Sequence, residues 1–171
     1  MKKDFEILHI NENTIKNAAN TIFDIRKDWI KRQSCFYTLG KCAYIDGKFK
    51  KGYVNLEKNN KLLYSYFSEL YCLVIDALSN FINQEVSLTK TLALPGFHIF
   101  KSTPQFLLKG GDWHKDLTHK TLNLKGDSPC SFTLPIKIPT GGAGIDYIGA
   151  DFVQKSLDYK IGNLVLHNGL I

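Results

Sequence analysis

Hydrophobic and polar positions change their rhythm about halfway along the chain. Near the start, Phe5, Ile7 and His9 alternate with other residues, which predicts a short strand. Asn11, Asn13 and Thr14 follow with the chemistry of a turn and a helix cap. A helix is predicted over about 15–32, where Ile15, Ala18, Ala19, Ile22, Phe23, Ile25, Trp29 and Ile30 recur near the helical period. Between 35 and 54, Gly40, Gly47 and Gly52 interrupt aromatic residues, a pattern of short strands and turns. The clearest periodicity spans about 55–82. There Leu62, Leu63, Tyr66, Phe67, Leu70, Tyr71, Val74, Leu78 and Phe81 trace one broad apolar face, and Lys58, Asn59, Asn60 and Glu69 fit the solvent side.

After Ser87 strands dominate, predicted at 87–93, 97–101, 104–108, 131–138 and 161–167. Turns at Pro95–Gly96, Gly110–Gly111, Gly126–Asp127 and Gly141–Gly144 separate them. Helices first and short strands afterwards predict an α+β chain, an antiparallel barrel or sandwich with helices packed outside. No repeat or low-complexity tract divides the sequence. Residues 1–171 therefore read as one domain, with 1–86 a mainly helical support and 87–171 the β core.

Composition narrows the class. The chain is 44% hydrophobic and 22% charged, which suits a folded core and excludes a disordered chain. No segment approaches the roughly 18 apolar residues of a membrane span, and MKKDFEILHI places Asp4 and Glu6 where a signal peptide would be apolar. A cytoplasmic location is expected. The formal charge is +6, but the lysines are dispersed and the longest basic cluster is Lys48, Lys50 and Lys51. That pattern argues against a nucleic-acid partner and is compatible with a small anionic ligand. Cys35, Cys42, Cys72 and Cys130 form no CxxC pair, so reduced thiols are expected, with Cys72 a small core residue.

The stretch richest in candidate chemistry is GGDWHKDLTHK at 110–120. In a strand, His114 and Asp116 point to the same face, so an imidazole and a carboxylate converge there. That is two-thirds of a 2-His-1-carboxylate metal face. The triplet alone also fits an unrelated surface histidine and aspartate. His119, five residues beyond His114, reads as an exposed histidine or a pocket residue.

A wider pattern surrounds the triplet. The run TLALPGFHIFKSTPQFLLKGGDWHKDL resembles the iron(II)- and 2-oxoglutarate-dependent oxygenases of prolyl-hydroxylase type. SFTLPIKIPTGGAGIDYI at 131–148 is similar to the family's next core strand and glycine-containing turn. IGNLVLHNGLI at 161–171 is similar to the approach to its distal histidine. The resemblance implies a double-stranded β-helix, or jelly roll, with His114 and Asp116 as metal ligands. It implies Fe(II) as metal, with 2-oxoglutarate and O2 as cosubstrates. The implied activity is a dioxygenase hydroxylating a C–H bond of a small-molecule or amino-acid-like substrate. The carboxylate at Asp116 favours hydroxylation or desaturation over halogenation.

Two departures accompany the resemblance. The family's basic anchor follows the distal histidine, and the only arginines here are Arg26 and Arg32. A missing final strand, or recruitment of Lys109 or Lys137, would account for this. The third metal ligand is either His167, which shares a strand face with Val165, or a residue beyond Ile171, where the family's register counted from Gly162 would put it. The expected pocket wall draws on His98, Phe100, Gln105, Leu107, Thr133 and Pro135. Of these, Phe100 and Leu107 are expected in the core, and His98 is a candidate second-layer hydrogen-bond donor. The alternatives are a jelly-roll ligand-binding domain without catalysis and a cupin-like Mn or Zn enzyme.

Overall fold

The computed structural model describes residues 4–46, 56–101, 103, 113–115, 118–121, 130–149 and 151–167. The predicted strand at 104–108, the Gly110–Gly111 turn and Asp116 lie outside them. Chain order begins with β1 (Phe5–His9), α1 (Glu12–Asp24), a 3-10 turn (Arg26–Asp28), β2 (Ile30–Lys31) and β3 (Phe36–Leu39). Two helices follow, α2 (Ala43–Asp46) and α3 (Leu56–Ile82), then β4 (Phe97–Phe100) and α4 (Thr118–Thr121). The last four strands are β5 (Ser131–Thr133), β6 (Gly144–Ile148), β7 (Gln154–Asp158) and β8 (Asn163–His167).

The cap chemistry before α1 acts as its residues predict. The Asn11 side chain accepts from the backbone N–H groups of Asn13 and Thr14, satisfying two donors of the first turn. The helix stops at Asp24, short of the predicted 32. The Trp29 indole N–H donates to the Ile22 carbonyl at 3.0 Å, folding the following turn back on α1. Ile30 and Lys31 are thereby free to pair with Thr38 and Tyr37 of β3. Helix α3 matches its predicted span, with Leu63, Phe67, Leu70, Tyr71 and Val74 buried. Its axis is interrupted at Phe67, which leaves helical geometry (φ −125°, ψ 18°) and packs its ring 4.5 Å from that of Phe97. Cys72, expected in the core, is exposed on this helix.

The described strands form three sheets, ordered β1-β8-β5, β2-β3-β4 and β6-β7. All pairings are antiparallel. The jelly roll is therefore corrected: these sheets are separate and open, not a closed double-stranded β-helix. The physical reason lies in the core. One cluster joins Ile15, Ala18 and Ile22 of α1 and Leu63, Phe67 and Leu70 of α3 to Leu39 of β3 and Leu164 and Leu166 of β8. Apolar faces that a jelly roll would press sheet on sheet are instead covered by helices.

Register assigns each side chain of the first sheet to a face. Leu8, Leu164 and Leu166 face the helices, and Phe5, Val165 and His167 face the other way. Tyr147 of the β6–β7 hairpin meets Phe5 there at 4.6 Å, edge to face, and Lys155 of β7 reaches Asp4 at 3.5 Å. Gly162 turns the chain into β8 with φ +78°, a conformation that costs a residue with Cβ. Its carbonyl accepts from Ile10 at 2.9 Å and its N–H donates to Pro135 at 3.0 Å, tying β8 to two other segments. Residues 87–93, predicted as a strand, form neither helix nor strand, whereas β6 and β7 lie in a stretch not assigned to strands.

Candidate functional site

Of the three residues expected to bind metal, His114 and His167 are among the described residues. His114 is exposed in an irregular stretch, and Asp116 falls outside the described residues. His167 is buried in β8, paired in register with Phe5 and Ser131, with its ring 5.7 Å from the Phe5 ring. Among the described residues no group of three or more His, Cys, Asp or Glu side chains could hold a metal ion. A mononuclear iron centre needs three ligands aimed at one point. The expectation of Fe(II) with 2-oxoglutarate and O2 is overturned on this ground, and the C–H-hydroxylating dioxygenase falls with it. The non-catalytic jelly-roll alternative falls with the fold.

The structure brings a different set together on the β2-β3-β4 sheet. Register pairs Phe36 with Phe100 and Thr38 with His98, so these four share one face, while Leu39, Phe97 and Ile99 take the other and pack on the core. On the first face the Phe36 and Phe100 rings stack at 4.8 Å with planes 10° apart. The His98 ring stands edge-on to Phe36 at 5.5 Å and 89°. Phe100 is half exposed and His98 is exposed. The expectation that Phe100 packs in the core is thus corrected, because its parity points it away from α3.

Beside these rings lies a clamped polar cluster. Arg32 grips Asp46 with two hydrogen bonds, Nη1 to Oδ1 at 2.9 Å and Nη2 to Oδ2 at 2.7 Å. Its Nε donates to the Thr38 hydroxyl at 3.0 Å, and that hydroxyl donates to the Gly40 carbonyl at 3.0 Å. Asp46 Oδ2 also accepts the Cys42 backbone N–H at 2.7 Å, fixing the entry into α2. Burial pushes the Asp46 carboxyl up, but the bonds from Arg32 and Cys42 outweigh it and hold the group below the ordinary carboxylate range. The buried Cys42 thiol lies 3.5 Å from His98 Nε2. At the far end of β3, the hydroxyls of Thr103 at 3.1 Å and Ser34 at 3.6 Å, with Lys101 nearby, hold the Cys35 thiol below its ordinary range.

Sequence reasoning named His98 and Phe100 but missed their setting. It took Cys42 as one more reduced thiol and gave Arg32 no role. The available signal was the alternation Phe36-x-Thr38 against His98-x-Phe100, which marks a strand pair with an aromatic face. The segment carrying His114 and Asp116 leads into α4, and α4 packs against α2, directly after Cys42.

A concavity of about 440 Å³ lies between the start of α1 and the approach to β8. It is lined by His9, Asn11, Glu12, Gly162 and Asn163, among others. There His9 Nδ1 and Asn163 Oδ1 are 2.9 Å apart. It is open to solvent, and two of its polar side chains, His9 and Asn163, already bond each other. Among the described helices none is long and apolar enough to cross a membrane. No family model matches the chain, no curated protein matches it, and no solved structure matches it.

Proposed function

We propose that the chain is a small-molecule-binding domain whose ligand lies against the Phe36–His98–Phe100 face. The observation that carries this reading is a rigid sheet with one face in the core and the other presenting stacked, partly exposed rings. Ligand sites are mostly apolar with a few fixed polar groups. Two rings supply the apolar surface, His98 the hydrogen-bonding edge, and the Arg32–Asp46 clamp the rigidity. A planar ring bearing a hydrogen-bonding substituent is the matching ligand class. The dispersed lysines favour a small ligand over a polynucleotide. His114 belongs to this proposal as a residue near the site, because it precedes α4, which packs beside α2. His167 is on another sheet and is left to a structural role. A cytoplasmic location is part of the reading, which takes the four cysteines as reduced thiols.

The test is calorimetric titration with a panel of small heteroaromatic carboxylic acids and amides. At least one should bind, and Phe100→Ala should weaken it by about tenfold, equivalent to about 1.4 kcal/mol, while the variant keeps its thermal midpoint. Absence of binding across the panel, or equal binding by Phe100→Ala, would sink the proposal.

A further inference from the structure

We infer that Cys42 and His98 form a nucleophile–base pair that captures a soft electrophile, a conjugated carbonyl compound, seated on the Phe36–Phe100 rings. This rests on the binding site proposed above and names the class of molecule that site would take. The pair has three properties such chemistry needs. The thiol and an imidazole nitrogen are 3.5 Å apart, within reach of proton transfer. The main chain that carries the thiol is fixed, because the Cys42 backbone N–H is held at 2.7 Å by a carboxylate that Arg32 grips in turn. The imidazole is exposed while the thiol is buried, which puts the solvent-facing side of the pair at His98, beside the Phe36 ring. Phe36 meets His98 edge-on and limits the ring's rotation.

The step balances without another reactant. His98 Nε2 accepts the Cys42 proton as Sγ bonds to the β-carbon of the conjugated double bond. The π pair moves onto the α-carbon and carbonyl, and His98 returns the proton to the α-carbon. A thioether forms, one C=C bond becomes single, and nothing leaves. A buried cysteine making only a weak contact with a neighbouring ring would share the distance but not the reactivity.

N-Ethylmaleimide is the probe, applied briefly to the native chain, with each of the four cysteines quantified by peptide mass spectrometry. At about pH 6.5, near the unperturbed imidazole value, Cys42 should label faster than the exposed Cys72 by about tenfold or more. His98→Gln, which keeps a polar side chain but removes the base, should erase that advantage and give Cys42 the pH profile of Cys72. Slower labelling of Cys42 than Cys72 in the unaltered chain would overturn the inference without reference to any variant, as would a rate indifferent to His98→Gln in a variant with native circular dichroism. N-Ethylsuccinimide, the saturated analogue that sulfur cannot attack, separates the two claims. If it perturbs Phe36 and Phe100 resonances while Cys42 stays unreactive, the binding site stands and the capture step falls. If it perturbs neither ring and Cys42 also stays unreactive, both fall.

Discussion

The two three-stranded sheets use the same alternation of side chains to opposite ends. In β1-β8-β5, the central strand β8 is buried on both faces: Leu164 and Leu166 toward the helices, Val165 and His167 away from them. In β2-β3-β4, one face is buried against α3 and the other keeps Phe100 half exposed and His98 open. A strand covered twice contributes to stability and has no face left for a ligand. A strand covered once contributes less and can bind. His167, one of the two histidines nominated as metal ligands, lies on the doubly covered strand, and His98, nominated as a pocket residue, lies on the open face.

The largest effect should come from cutting β8. Leu166 has no exposed surface, so Leu166→Ala should cost about 3–5 kcal/mol through lost burial and the cavity left behind, measured by urea unfolding. Such a loss would leave little of a typical stability margin. A loss as small as that of an exposed residue would mean β8 is not the keystone of the core.

Next comes the clamp behind the open face. The Arg32 and Asp46 side chains are 13% and 10% exposed. Arg32→Ala strands a nearly buried carboxylate and should destabilise by about 3 kcal/mol. Arg32→Lys should be intermediate, since an ammonium cannot reproduce the two-pronged bond or reach Thr38 as well. The pH dependence sharpens this prediction. The Asp46 pKa in the folded chain is lowered from 3.8. Its contribution to stability is therefore full above that value and is lost as pH falls through the folded pKa. Asp46→Asn should flatten the acid limb of the stability–pH curve below about pH 4, and an unchanged acid limb would contradict the clamp.

Smaller again is Phe100→Ala, expected to lower stability by about 1 kcal/mol or less despite the size of the side chain, because half its surface already meets solvent. Its effect should fall on binding. The smallest effect is expected at the β6–β7 turn, where Phe152 is 90% exposed at φ +60°. Phe152→Gly relieves the backbone and removes no core contact, so unfolding should shift by less than about 0.5 kcal/mol. A large loss there would mean the turn carries more packing than its exposure indicates.

Local chemistry was legible where one residue type decides it. The Asn11 cap, the apolar stripe of α3, the alternation of β4 and the apolar run of β8 all follow from short-range pattern. What was not legible is which surfaces meet. A periodic helix such as α3 has an apolar face whatever covers it, and the sequence does not say that this face takes the inner sides of β3, β4 and β8. The jelly roll was implied by a resemblance carried by three segments between 91 and 171, and a resemblance of that kind does not encode closure. The Arg32–Asp46–Cys42 clamp was hidden for a related reason. Its members are joined through a turn and a short helix, with no spacing rule to announce them.

The most direct test is an aromatic and imidazole NMR shift map recorded while titrating the tightest-binding heteroaromatic compound. The account predicts that the largest perturbations fall on Phe36, His98 and Phe100, with Phe5 and His167 of the doubly covered sheet unmoved. Perturbations centred on His9 and the Asn163 side, or on His167, with the Phe36 and Phe100 rings unchanged, would contradict it.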